Sequence, residues 1–388
     1  MEPGAEAIRV VAIFPEPTPY RSPALERIAN LPEIDLSVVY AARTVGRRTW
    51  HVDLERNATF LRGFGIPGVR PLLRHDYPVT PGVVQLLERR RPDCVVLTGW
   101  SIFASQAAVL WCTARRVPYV LLTESHDHGP KPSWRRAVKE SIVPRIVRGA
   151  AGYLVTGTLA RRSMVSHGAD PARIHVFANT VATERFAAET ERLRPSRAAL
   201  RAALGLDGDD VAVLTVARLA PEKGIDTLIE AVAAADDPRL ALVVAGEGPE
   251  RDTLSRLAAE RGVRASFAGD VPWERIVEVY AACDVFALLS RHEPWGVVVN
   301  EAGACGLPLV LSDRVGAAYD LLRNGENGIR VPAGDVPAAA VALRELADDP
   351  SLRERMGAVS RELALGWSYE PSVDGFRAAV TGAVHGRD

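Results

Sequence analysis

The apolar positions of this chain fall into short, β-branched runs: Ile8–Phe14, Leu36–Tyr40, Cys94–Leu97, Tyr119–Thr123 and Tyr153–Thr156. Stretches with helical spacing, such as Val83–Arg90 and Gln106–Arg115, separate several of them. This alternation predicts a parallel sheet with helices on both faces. A second series of the same kind follows at Val211–Val216, Leu240–Ala245, Ala265–Ala268, Val285–Leu288 and Leu307–Leu311. Between the two lies Ala187–Leu204, rich in Arg, Ala and Glu and interrupted by Pro195, which reads as a connection passing into a helix. The region Pro337–Gly382 is helical in pattern, with Pro350 and Pro371 as breaks. The expected division is therefore residues 1–190 and 191–388, with the C-terminal helix packing back on the first domain. Two doubly wound domains facing each other would form a cleft at the C-terminal ends of their strands.

The length of 388 residues suffices for two such domains, each with its own core. A hydrophobic content of 47% and a charged content of 24% leave no reason to expect extended disorder. The formal net charge of −1 argues against a general nucleic-acid binder. Cys94, Cys112, Cys283 and Cys305 are scattered through apolar contexts without a CxxC pair, so reduced, buried thiols and a cytoplasmic location are expected, and a zinc site is not. Ile8–Phe14 ends at Pro15 and does not read as a signal peptide. No apolar run approaches the ~20 residues that span a bilayer.

The stretch Arg291–Gly306, RHEPWGVVVNEAGACG, places Glu293 and Glu301 on either side of a Gly-containing turn that opens a helix. A helix start at Gly296, Val297 and Val298 offers unpaired backbone N–H groups to an anion. A carboxylate, a bare helix start and a second carboxylate suit a diphosphate carried between two polyols, which describes a nucleotide-sugar. A pair of solvated helix glutamates is the plainer alternative. Upstream, VAVLTVARLAPEKG delivers Arg218 to the C-terminal end of a strand, with Lys223 at the start of the next helix. Two fixed cations there would clamp a diphosphate and neutralise charge on a departing nucleotide. The alternative is an Arg218–Glu222 surface pair. In LVVAGEGPE, Gly246 and Gly248 allow close backbone approach, which more commonly marks a tight turn than a ligand site.

In this order, ARLAPEKG, VVAGEGPE, DVFALLSRHEPWGVVVNEAGACGLPLVLSD and NGENGIRV resemble the group 1 family of retaining glycosyltransferases, over roughly Val211 to Val331. The resemblance implies the α/β GT-B architecture of two facing Rossmann-like domains, with the donor held by the C-terminal one. It implies that Arg218 and Lys223 contact the donor diphosphate and that Glu293 contacts the hydroxyls of the transferred sugar. Gly296, Val297 and Val298 match the turn whose amides approach sugar and phosphate, and Glu301 matches the glutamate that grips the nucleotide ribose. Asn300 and Pro294 stand at variable family positions and gain no role from it. No cofactor and no metal are implied; the nucleotide-sugar, UDP- or GDP-linked, is the co-substrate.

The N-terminal half matches less closely. Where the family often has a Gly-rich loop, this chain has Pro15-Glu16-Pro17-Thr18-Pro19-Tyr20-Arg21, so Tyr20 and Arg21 either face an acceptor or pack the turn. After Tyr119–Thr123 comes Glu124-Ser125-His126-Asp127-His128, and His126 best matches a family histidine that reaches toward the donor sugar, with His128 as its substitute. A metal site formed with Glu124 and Asp127 is the alternative, which the metal-independence of the family disfavours. Lys131–Arg148 carries six basic residues and one acid around Trp134, Val138, Ile142 and Ile146. That pattern suits either peripheral contact with anionic lipid at the inner face of a membrane or a solvated face over a core stripe. The expected reaction is sugar transfer to a glycan, lipid-linked or small-molecule acceptor by front-side attack. A nucleotide-sugar epimerase of the same architecture and a non-catalytic nucleotide-sugar-binding protein are the alternatives.

Overall fold

The computed structural model describes residues 6–43, 58–65, 77–124 and 142–386. The chain divides into two compact units, Met1–Asn179 with Tyr369–Asp388, and Thr180–Ser368. In the first unit, β1 (Ile8–Phe14), β2 (Ile34–Tyr40), β3 (Ala58–Phe60), β4 (Cys94–Thr98), β5 (Tyr119–Thr123), β6 (Gly152–Val155) and β7 (Ile174–Val176) form one sheet in the order β3-β2-β1-β4-β5-β6-β7. Each pairing within it is parallel. The order reverses between β1 and β4, which is the topological switch point of a doubly wound sheet.

The second unit repeats the plan. β8 (Val211–Val216), β9 (Leu240–Ala245), β10 (Ala265–Gly269), β11 (Val285–Leu288), β12 (Leu309–Ser312) and β13 (Gly328–Val331) lie in the order β10-β9-β8-β11-β12-β13, again all parallel. Along β8, Ala212 and Leu214 enter one apolar cluster while Val211 and Val213 enter another. Both faces are therefore buried, which explains why the strand reads as a continuous apolar run. The switch point here lies between β8 and β11, and both strands end at segments singled out by the sequence.

The units divide between Asn179 and Thr180, ahead of the boundary expected between residues 190 and 191. The connecting helices explain this placement. Phe186, in the helix Thr183–Leu193, meets Tyr280 edge-on with ring centroids 6.2 Å apart. Arg197 and Arg201, on the next helix, donate to the Asp284 carboxylate at 2.6 and 2.9 Å, and Asp284 also accepts the Ala212 amide at 2.8 Å. The whole connection is thereby fixed to the second sheet.

Towards the C-terminus the prolines mark helix starts. Pro337, Pro350 and Pro371 occupy the first turns of the helices Val336–Asp348, Pro350–Leu365 and Glu370–His385. Asp335 and Asp349 cap two of these helices by accepting the amides of Ala338 and Leu352 at 2.9 and 2.8 Å. The last helix belongs to the first unit, where Phe376 packs on Phe177 and Ser372 Oγ accepts the Ala178 amide at 2.9 Å.

All four cysteines are free and buried, and burial pushes the thiols of Cys112, Cys283 and Cys305 up, away from the reactive thiolate. Among the described residues no helix is long and apolar enough to cross a membrane. Of the basic segment 131–148, residues 142–148 are described. They are helical, with Val143 and Val147 buried and Ile142, Arg145 and Arg148 exposed. The remainder of that segment lies outside the described residues.

Candidate functional site

The site is built where β8 and β11 end side by side. After β8 the chain runs through Ala217-Arg218-Leu219-Ala220 into a 3-10 turn, Pro221–Lys223, and then the helix Ile225–Ala234. Gly224 joins turn to helix at φ +64°, and a Cβ there would collide with the carbonyl of Leu289, just past β11. Glycine thus satisfies both the left-handed backbone and the close approach of the two strand ends. Arg291 clamps the turn from the other side. Its amide donates to Glu222 O at 2.8 Å, and its guanidinium donates to Pro221 O at 2.7 Å and to both Asp226 oxygens at 2.8 and 2.6 Å.

This closure brings Lys223 and Glu293 together. They stand 70 residues apart in sequence, yet Lys223 Nζ pairs with Glu293 Oε2, and both side chains are mostly buried. Arg218, in the loop after β8, pairs with Glu222, four residues on in the 3-10 turn, as the plainer reading of the sequence had it. With side chains 63% and 40% exposed, that pair contributes at most about 1 kcal/mol and leaves Arg218 able to exchange partners. Gly246 and Gly248 serve packing, since a Cβ at either would strike the carbonyls of Ala217 and Leu219. The Gly246–Gly248 turn holds the Arg218 loop through Leu219 N to Glu247 O at 3.0 Å and Glu250 N to Leu219 O at 3.1 Å.

Past Glu293 the turn tightens. Gly296 adopts φ +93°, and a Cβ on it would sit 3.1 Å from Glu293 Cγ. Val297 caps the helix Val298–Ala304 without any side-chain acceptor. Trp295 is buried and donates from Nε1 to Asn300 Oδ1 at 3.0 Å, while Asn300 Nδ2 donates to Thr180 Oγ1 at 3.4 Å. Thr180 in turn donates to the carbonyl of Trp367, whose ring lies 5.1 Å from that of Trp295. Asn300 is fully buried. It holds the turn between the two glutamates, a part that its sequence context did not reveal.

Glu301 faces inward from the same helix and accepts the Tyr280 hydroxyl at 2.7 Å. Burial pushes its carboxyl up to about 7, against the opposing pull of that hydrogen bond. The folded protein therefore holds a proton that the unfolded chain releases near the ordinary glutamate value of 4.5. The stability this provides is complete below that value and is lost as pH rises through about 7. Glu301→Gln, which cannot ionise, is expected to stabilise the fold by up to about 3 kcal/mol near pH 8.5, an advantage that vanishes near pH 4.5. Melting curves at the two pH values check this; a variant no more stable than the parent under alkaline conditions would count against the protonated, half-buried carboxyl.

The seven residues expected to hold a donor, namely Arg218, Lys223, Glu293, Gly296, Val297, Val298 and Glu301, all belong to the second unit and lie on segments leaving β8 and β11. His126 lies outside the described residues. In the first unit Arg21 is buried, pairs with Glu124, and donates from Nε to Asn179 Oδ1 at 3.2 Å. Its guanidinium sits 5.2 Å from the Tyr20 ring and 5.9 Å from that of Phe14. Of its two expected readings, the turn-packing one describes Arg21, and half-buried Tyr20 lies beside it. Sequence reasoning also passed over Trp273, which is 60% exposed and carries the Arg185 guanidinium 4.0 Å above its ring.

The family model for glycosyl transferases group 1 matches residues 196–363, and that for the glycosyl transferase 4-like domain matches residues 10–180. The GDP-mannose-dependent alpha-(1-6)-phosphatidylinositol monomannoside mannosyltransferase of Mycolicibacterium smegmatis is 31% identical over 74% of this chain and 77% of its own length. The D-inositol 3-phosphate glycosyltransferase of Rhodococcus jostii is 35% identical over 63% of this chain, which spans 55% of that relative. Among solved structures, Anabaena HepE in complex with UDP superimposes with a TM-score of 0.71 over 93% of this chain and 95% of its own, at 20% identity. That likeness shows the fold, an α/β GT-B fold with two Rossmann-like domains.

Proposed function

Because this chain belongs to the group 1 glycosyl transferases, we propose that it moves a sugar from a UDP- or GDP-sugar to a hydroxyl acceptor with retention at the anomeric carbon. The observation that carries this reading is the convergence of Lys223 and Glu293 at the switch point between β8 and β11. Open parallel sheets bind ligands there, beyond the carboxyl ends of their strands. A diphosphate placed at this point takes up Lys223 and Arg218 as charge-assisted donors. Once the phosphate takes up Lys223, the Glu293 carboxylate accepts hydrogen bonds from the hydroxyls of the sugar. Glu301 accepts the ribose hydroxyls.

In the proposed step the acceptor oxygen bonds to the anomeric carbon as the bond to the diphosphate oxygen breaks. The acceptor proton passes to that departing oxygen on the same face. Lys223 and Arg218 stabilise the negative charge that develops there, which is the largest electrostatic demand of the reaction. Glu293 orients the sugar and neither protonates nor attacks it. The Mycolicibacterium relative is named for GDP-mannose and the Rhodococcus relative for D-inositol 3-phosphate; a GDP- or UDP-linked hexose and a polyol, glycan or lipid-linked acceptor are the corresponding proposals. The reaction needs no metal.

The test is thermal denaturation of the purified protein in chelator-treated buffer with UDP, GDP and ADP in turn. One nucleotide is expected to raise the melting temperature in proportion to the logarithm of its concentration, by the equivalent of about 2.7 kcal/mol at a hundred times its Kd. A folded protein unmoved by all three would overturn the donor reading.

A further inference from the structure

We infer that Tyr280 is a positioning residue for the donor: its hydroxyl holds the Glu301 carboxyl group in the orientation that receives the nucleotide ribose. The inference rests on the reading of Glu301 given above and adds a residue from a different helix. Tyr280 lies in the helix Ile276–Ala282 and is completely buried, with its ring packed between Phe186 and Phe286 at 6.2 Å each. Aromatic packing on two sides fixes the ring plane, so the hydroxyl has a fixed place. From there Oη donates to Glu301 Oε2 at 2.7 Å, with the Val298 carbonyl as a more distant second acceptor at 3.5 Å.

The hydrogen bond does two things. It occupies one carboxyl oxygen and turns the other away from the tyrosine, and it favours the ionised form, because an O–H donor stabilises a carboxylate more than a carboxylic acid. The second effect matters because no other described residue supplies it. Among the described residues no cation pairs with Glu301. Arg361, on the helix Pro350–Leu365 packed against it, is engaged by Glu191 at 2.6 Å. Glu189, on the helix Thr183–Leu193, is engaged by Arg185 at 3.1 Å. The Cys305 and Cys283 thiols, at the ends of the two helices concerned, are neutral at physiological pH, and β12 offers no titratable group. Tyr280 is thus the one described group that opposes the burial of this carboxyl.

Ribose hydroxyls donate to the ionised carboxylate, so nucleotide affinity should rise as pH increases through the titration of Glu301. Tyr280→Phe keeps the ring between Phe186 and Phe286 and removes only the donor. The fold should survive and the affinity profile should move to higher pH. Calorimetric titration of UDP and GDP into the full chain from about pH 5.5 to 9 tests this, since a displacement of up to about one pH unit lowers affinity near neutrality by up to about tenfold. The expected result is weaker binding by Tyr280→Phe near pH 7 with recovery by pH 9, beside Glu301→Gln, whose weak binding is flat with pH. If Glu301→Gln is impaired while Tyr280→Phe follows the parent at every pH, the positioning role falls and the donor reading stands. If Glu301→Gln binds like the parent, Glu301 does not hold the ribose, and the positioning role falls with that assignment while the nucleotide site itself stands.

Discussion

Replacing Glu293 by alanine is expected to lower turnover by about two to four orders of magnitude while leaving nucleotide affinity within about threefold. The asymmetry follows from where Glu293 sits. Its backbone is held at both ends by the segment after β12, through Glu293 N to Arg314 O at 3.1 Å and Gly316 N to Glu293 O at 3.0 Å. Its carboxylate rests on Lys223, which the diphosphate would claim. Removing the carboxylate frees that lysine for the phosphate, so donor binding has no reason to collapse. Orientation of the transferred sugar does. Isothermal titration with the nucleotide and steady-state turnover of the nucleotide-sugar separate the two effects. Glu293→Gln, which can still accept hydrogen bonds but carries no charge, should fall between the alanine variant and the parent. Unchanged turnover in the alanine variant would remove Glu293 from the mechanism. A large loss of nucleotide affinity would move it from the sugar to the nucleotide.

The central strands of this molecule were legible in its sequence because their burial is complete; among the edge strands β10, half-buried along its length, was still read from its apolar run. β8 and β11 are covered on both faces and read as unbroken apolar runs, so their ends, and the residues they carry, could be located. The edge strands β3, β7 and β13 each have one neighbour and are partly wet. His175 and Arg330 interrupt the apolar pattern of two of them, and the third spans three residues, so none announced itself. Residue roles divide in the same way. The Arg218–Glu222 pair lies four residues apart, near enough in the chain to be visible in it. The Lys223–Glu293 pair depends on β8 lying beside β11, a consequence of the crossover order and not of any local pattern. The resemblance named both residues but not their contact. Asn300 was passed over because its partners are Trp295, on a turn whose direction the sequence does not print, and Thr180, 120 residues away. Arg21 was left between two readings because Glu124 and Asn179, which turn it inward, follow two other strands of the same sheet.

Gly316→Ala is expected to destabilise the second unit by about 3 kcal/mol or more and to abolish turnover in whatever fraction remains folded. Gly316 opens the 3-10 turn Gly316–Tyr319, and its backbone runs directly against Pro294. A Cβ at this position would overlap the Pro294 carbonyl oxygen and lie about as close to its carbon as a bond angle normally allows only within one residue, with Trp295 Cα next in line. None of these three atoms belongs to a flexible side chain, so the strain can be relieved only by moving one backbone away from the other. That movement breaks the bond from Gly316 N to Glu293 O and the bond from Ala317 N to Trp295 O at 2.9 Å, the two that register the Glu293–Trp295 segment on the turn after β12. Trp295 is buried and tied through Asn300 to Thr180, so it cannot follow without opening the apolar cluster around it. The displacement therefore reaches Glu293 on one side and Gly296 on the other. Thermal melts and turnover measured on the same preparation decide the matter. A large fall in both is the expected outcome, whereas a variant with parental melting temperature and activity would mean that Pro294 and Gly316 are not held in this register.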